Sequence, residues 1–489
     1  MAETGVTKNQ IISELSKSPH GKLEEYIPLG TKAAQQEPEF LAHLIAWNQI
    51  KGQIRDSKIA LPVISLSAPQ HEDFVSNALA HVAMLDPRNL LRAIRFAKQL
   101  KVKSQAFRRL AIGYLRSREE NWTKWERMAI QHRRSLKELY ALGHIKPSPM
   151  ADAILFKGQR PKGSVFEAVA NLKSMSNSEA AGTIMERRIP FLIAMGALGA
   201  KAKEPDLVLA LIERMSPTEL VTNSKMLERL GIKTVPALRA AYEQALTKAA
   251  GSKKATLKTT RAAEAMDDEG ISDKLRDLQE KQIKALGGVD GNWLVLGDKS
   301  GSMSQAIELS RHVAATLAKM VKGQVHLIFF DTVPRYIEAT GKTYEEIVAA
   351  TKHVTAGGGT SIGCGLLALA EKKIEVDGIA VVSDGGENQP PVFAHVYAAY
   401  CQAIGKQVPV YLYRTAGDAD AFSSNMQRAG IDLQKFDLTG GVDYYSVVNL
   451  VQTMRTQRYS LVDEIMEQPL LRLEEVFNAT EKKGAKVYA

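Results

Sequence analysis

Four short runs near the C-terminal end, NWLVLG at 292–297, VHLIFF at 325–330, GIAVVS at 378–383 and VPVYLY at 408–413, are almost wholly apolar. Runs of this length that are apolar on both sides of a period-two repeat have to be buried on both faces. Between them lie stretches with helical periodicity, near 303–321, 362–374 and 392–404. A strand followed by a crossover helix and another strand makes a parallel pair. Residues 286–489 are therefore predicted to form an α/β domain with a doubly wound, mostly parallel, Rossmann-like sheet.

The first 285 residues follow another rule. Phe107, Leu110, Ala111, Tyr114 and Leu115 recur at the spacing of one helix face within 104–118. At Ser216-Pro217-Thr218-Glu219 a serine can cap, proline can take the first helical position and the glutamate can close a capping box. Prolines at 62, 69, 87, 147, 149, 161, 190, 205 and 236 mark off helix-length intervals. Many paired helices without strand signals suit a HEAT-like helical-repeat domain over 1–285, although no repeat motif is explicit. Residues 250–270 are rich in charge and poor in large apolar side chains, and read as a connecting segment. A helix then runs to about Leu286, where Gly287-Gly288 ends it. The architecture expected is multidomain, α followed by α/β.

Several classes drop out. No window approaches 18 consecutive apolar residues, so no membrane span or membrane partner is expected. The start, MAETGVTKNQ, has no apolar core of the secretory kind. Two cysteines, Cys364 and Cys401, cannot build a disulfide framework and form no zinc pattern. A cytoplasmic monomer is the expectation.

Ligands of doubly wound sheets bind beyond the carboxyl ends of the strands. The first strand is followed by Asp298-Lys299-Ser300-Gly301-Ser302, a glycine loop at 357–359 leads into Thr360, and a later strand is followed by Asp384-Gly385-Gly386. Two carboxylates and three hydroxyls make a hard, oxygen-only set suited to Mg²⁺ or another divalent cation. The pattern resembles the metal-ion-dependent adhesion site of von Willebrand factor A domains, with Asp298, Ser300, Ser302, Thr360 and Asp384 at the family's five side-chain positions. Lys299, an ammonium between two ligand positions, departs from it. Asp331 reads as an ordinary loop carboxylate. These loops carry no phosphate-binding GxxxxGK[ST] and no histidine to act as a general base, so an enzyme is not expected.

Charge is divided unevenly. Residues 1–285 hold 45 Lys+Arg against 31 Asp+Glu, and residues 286–489 hold 19 against 23. Within 88–118 there are ten cations, Arg88 among them, and no acid. A solvated helix face normally mixes signs, so unrelieved positive charge points to a polyanion. The candidate RNA contacts are Arg92, Arg95, Lys98, Lys101, Lys103, Arg108, Arg109, Arg116 and Arg118, continued by Arg133, Arg134, Lys137, His144 and Lys146. Trp122 or Trp125, if placed at a loop, could stack bases.

The segments SQAFRRLAIGYL, LKELYALGHIKP and MSPTELVTNSKMLERLG, followed by an A-type domain, resemble the Ro ribonucleoprotein family, in which a TROVE domain precedes a von Willebrand A domain. The resemblance spans nearly the whole chain. It implies a helical ring that takes single-stranded 3′ ends of misfolded noncoding RNA, and an outer basic surface for structured Y RNAs. It also implies handover to a 3′ exoribonuclease such as polynucleotide phosphorylase. A histidine that the family has one position before Lys137 is Leu136 here. Two other readings compete: a Mg²⁺-dependent adaptor whose basic face meets an acidic protein, and a self-assembling structural protein, for which no coiled-coil heptad or sticky edge speaks.

Overall fold

The computed structural model describes residues 8–13, 22–52, 54–69, 71–249, 259, 262–263, 265–285, 289–301, 303–417, 420–438, 454 and 461–481. They form two compact units, Met1–Ser57 with Ile283–Gln468, and Lys58–Gln282 with Pro469–Ala489.

The first unit is built on a six-stranded sheet in the order β3-β2-β1-β4-β5-β6. The strands are β1 Trp293–Asp298, β2 Val325–Phe330, β3 Arg335–Glu338, β4 Gly378–Ser383, β5 Val410–Arg414 and β6 Leu433–Asp437. All pairs are parallel except β3 against β2. Every residue of β1, β2 and β4 is buried, as their unbroken apolar runs require. The crossover helices Ser304–Met320, Ile362–Glu371 and Phe393–Ile404 stand where the periodicity put them. Sequence reading missed β3 and β6. Their RYIE and LQKFD are short edge strands that keep polar residues, so neither shows an apolar run.

The register places the site. Asp298 lies opposite Phe330, Gly297 opposite Val382, and Ser383 opposite Arg414. The strands thus end level with one another, and their following loops share one edge of the sheet.

The first 57 residues belong with this unit, not with the helices that follow them, as the division at 285 had assumed. The reason is a buried polar contact: Trp47, in the helix Pro38–Lys51, donates its indole N–H to Glu464 at 2.8 Å. Lys51 pairs with the same carboxylate, and the His43 ring bonds the Gln468 carbonyl at 2.7 Å.

The second unit is helical. Asp86 accepts from the Arg88 and Asn89 amides and, with Pro87 at the first position, starts the helix Pro87–Gln99. The capping box at Ser216 and Glu219 forms as the sequence indicates. Phe107, Leu110, Ala111, Tyr114 and Leu115 are all buried. Part of the connecting segment, 251–258, lies outside the described residues. Its end is structural: Glu228 accepts the amides of Asp267 and Asp268, and the helix Glu269–Ala285 buries Ile271, Leu275 and Leu278 in the helical core. The C-terminal helix Leu473–Glu481 also belongs here, tied by the Leu471 amide to Asn77 Oδ1 and the Leu473 amide to Ser76 Oγ, both at 3.0 Å.

Candidate functional site

At the carboxyl edge of the sheet, Asp298 is fully buried. Its Oδ1 accepts the Ser300 amide at 2.8 Å and its Oδ2 the Ser383 hydroxyl at 2.6 Å. Burial raises the pKa of this carboxyl, hydrogen bonds from Ser300 and Ser383 oppose the rise, and the nearby charge of Asp384 adds to it. Asp384 is held by the Gly386 amide at 2.8 Å and has Gly417 packed against it, where a Cβ would come within 2.2 Å.

The glycine loop is sewn to its neighbours through its backbone. Gly357 N–H donates to the Lys299 carbonyl at 2.7 Å, Gly301 N–H to the Gly358 carbonyl at 3.3 Å, and Ser361 N–H to the Asp331 carbonyl at 2.7 Å. Gly358 has φ +85°, a conformation that favours glycine, and its Cα side faces Asp331 closely. Thr360 is presented between these ties: its amide donates to Asn388 Oδ1, and its carbonyl accepts from the Asn388 and Gln389 amides, all at 3.0 Å.

Lys299 does not face the ligands. Its ammonium pairs with Asp331, with both side chains largely buried. Asp331 is thus no ordinary loop carboxylate. It holds Lys299, accepts the Val333 amide at 2.7 Å and anchors the loop of Thr360 through its carbonyl. Burial works against its charge, yet the Lys299 ammonium and backbone amides leave its pKa below the usual value. Ser302 lies outside the described residues. Among the described residues no three His, Cys, Asp or Glu side chains cluster as a metal set. Of the expected donor set, the described residues are the carboxylates Asp298 and Asp384 and the hydroxyl residues Ser300 and Thr360, all at this edge of the sheet. Two acids in one another's field, with the Lys299 ammonium engaged by Asp331, fit a hard divalent cation.

The basic stretch divides into residues that build the fold and residues that face solvent. Arg118 is mostly buried, with its guanidinium 3.4 Å from the Tyr114 ring centroid and bonded to the Tyr114 carbonyl at 3.0 Å. Burial lowers its pKa. Arg133 donates to the Ile154 carbonyl at 3.0 Å, Arg116 to Glu119 and the Lys146 carbonyl, and Arg95 pairs with Glu138. The acid missing from 88–118 is therefore supplied in part from the next helix, and Arg118 is withdrawn from any ligand. Arg92 lies half-buried against Asn89. Lys98, Lys101, Lys103, Arg109, Arg134, His144 and Lys146 are exposed. Arg108, also exposed, bonds the Gly143 carbonyl at 3.1 Å, and Arg116 reaches Lys146 two turns further on. The segment 143–146 therefore runs along the helix Ser104–Glu119 and brings His144 and Lys146 beside its cations. Lys137 sits 5.7 Å from the Phe156 ring centroid. Trp122 and Trp125, which could have stacked bases if placed at a loop, instead stack on each other at 4.7 Å in the first turn of a helix, with Trp125 fully buried. Phe156, 44% exposed, is the aromatic that sequence reading missed. It ends the apolar run Ala153-Ile154-Leu155-Phe156, so in the sequence it reads as one more core residue of the helix Pro149–Leu155.

No family model and no curated protein matches this chain. Among solved structures it is similar to the Deinococcus radiodurans Ro (RSR) protein, with a TM-score of 0.57 over 92% of this chain and 95% of that one, at 13% identity. No helix of the described residues is long and apolar enough to cross a membrane.

Proposed function

We propose that this chain, which has the fold of a Ro protein, is a non-enzymatic RNA-binding protein of the Ro type. Structured small RNAs of the Y kind would lie on the exposed basic face, and single-stranded 3′ ends of misfolded RNA would pass through a helical ring. The setting is cytoplasmic RNA quality control, with transfer to a 3′ exoribonuclease such as polynucleotide phosphorylase. The observation that carries this reading is the set of exposed cations Lys98, Lys101, Lys103, Arg109, Arg134 and Lys146, with exposed His144 beside the last. Such a surface binds a phosphate backbone by releasing counterions, so affinity falls steeply with salt.

The division of labour assigns the oxygen site to proteins. Mg²⁺ there would be held by Asp298, Ser300, Thr360 and Asp384, with Ser302 completing the set, and would supply an electrophilic point for a partner's carboxylate.

The test is titration of a hairpin with a single-stranded 3′ tail beside the blunt hairpin, at several salt concentrations. Tighter, salt-sensitive binding of the tailed RNA is expected. Equal binding would reduce the reading to a generic basic surface, and no binding at moderate salt would leave the adaptor.

A further inference from the structure

Phe156 follows the short helix Pro149–Leu155 and leaves 44% of its surface to solvent. The ring is nevertheless held. Buried Tyr140 meets it edge to face at 6.2 Å and 76°, and the Lys137 ammonium stands 5.7 Å from its centroid. A shallow, open groove of about 350 Å³ lies beside it, lined by both rings with His144, Lys146 and Pro147.

The walls are fixed in advance. Glu119 accepts from the Tyr140 hydroxyl and from the Ser148 amide at 3.2 Å, and pairs with Arg116 at 2.7 Å. Arg116 in turn holds the Lys146 carbonyl at 2.8 Å. His144 has φ +48°, the left-handed residue that closes the helix Trp122–Leu142, with the Ile145 amide returning to the Tyr140 carbonyl at 2.9 Å, so the backbone of this wall is fixed by the helix cap. Asp152, the carboxylate of the rim, is paired with Lys157 at 2.8 Å. A preformed aromatic face amid cations, with its one rim acid already paired, suits a ligand that is flat and apolar on its faces and anionic along its edge. A nucleotide base on its phosphate backbone has that chemistry, whereas an apolar peptide would leave the cations unmatched.

We propose that this pocket takes one unstacked base of single-stranded RNA, which stacks on Phe156 while the adjoining phosphates meet Lys137, His144 and Lys146. The proposal rests on the RNA-binding reading and adds to it a site that distinguishes single strands from duplex. Phe156 supplies the selectivity and the basic face the general affinity.

The experiment uses the full chain, a single-stranded oligonucleotide carrying 2-aminopurine, and a blunt RNA duplex. The wild type should quench the fluorophore by stacking it. Phe156→Ala should lose the quench and bind the oligonucleotide about 10-fold more weakly, since a stacked base contributes on that order, with duplex affinity unchanged. Phe156→Leu, which keeps the apolar packing against Tyr140 without a π-face, should lose the quench as well, and Phe156→Trp should keep it. Quench and affinity unchanged in Phe156→Ala, with the wild type still binding both RNAs, would overturn the pocket and leave the RNA reading standing. A wild type that binds neither RNA would remove the RNA reading and the pocket with it.

Discussion

Trp47 and Glu464 meet through a 2.8 Å hydrogen bond across 417 residues of sequence, both of them buried. Glu464→Ala would leave the indole N–H and the Lys51 ammonium without their partner. A loss of about 1–3 kcal/mol in stability is expected, read by urea denaturation of the full chain. Glu464→Gln, which can still accept from Trp47, should lose less. Equal losses for the two variants would mean that the indole contributes nothing.

Lys299→Met strands a carboxylate that is largely buried, and stability should fall by about 2 kcal/mol, less than for a fully buried broken pair because Asp331 keeps some solvent. Asp331→Asn in the same chain should recover most of it in thermal melts. Mg²⁺ affinity by calorimetry should vanish in Asp298→Ala and survive in the Lys299→Met, Asp331→Asn double variant.

His81 sets a pH dependence. It is buried with neither ring nitrogen hydrogen-bonded among the described residues, and burial, aided by the Lys58 charge, lowers its pKa to about 4. A folded pKa below the ordinary value of 6.5 means that stability is complete above pH 6.5 and is lost as pH falls toward 4. Each pH unit in that window should cost about 1.4 kcal/mol. His81→Leu should flatten this part of the stability profile; a profile as steep as the wild type would place the titration elsewhere.

Two kinds of basic residue should separate by assay. Replacing Lys101, Lys103 and Arg109 by Gln should lower the slope of log affinity against log salt by about 2 for single-stranded RNA, at roughly 0.7 per phosphate contact, with melting unchanged. Arg118→Gln should instead lower the melting temperature, because it removes a guanidinium packed on Tyr114.

Gly113 lies under the C-terminal helix, where a Cβ would come within 2.6 Å of the Phe477 ring. Gly113→Val should displace that helix at a cost of about 1–3 kcal/mol and expose the C-terminus to protease. Phe477→Ala should restore part of the stability, and a melt unaltered by Gly113→Val would show that the ring can move aside freely.

Much of this was legible in order of residues alone. Strands buried on both faces must be apolar at every position, so β1, β2, β4 and β5 could be read directly, and a parallel sheet delivers Asp298, Thr360 and Asp384 to one edge whatever surrounds them. The capping box at Ser216 is equally local, since its partners are three residues apart. What sequence could not decide was which side chains face each other across long separations. Lys299 looked like an obstacle to a cation until Asp331 took its charge. Arg118 looked identical to Arg109 until Tyr114 and two carbonyls enclosed it. Phe156 became a candidate surface only when the segment around His144 and Lys146 was laid beside it. Periodicity reports the burial of a residue's own helix or strand, so it determines elements and their inner faces. The pairing of charges, and the assignment of the first 57 and last 21 residues to their units, depends on contacts hundreds of residues apart and belongs to tertiary structure alone.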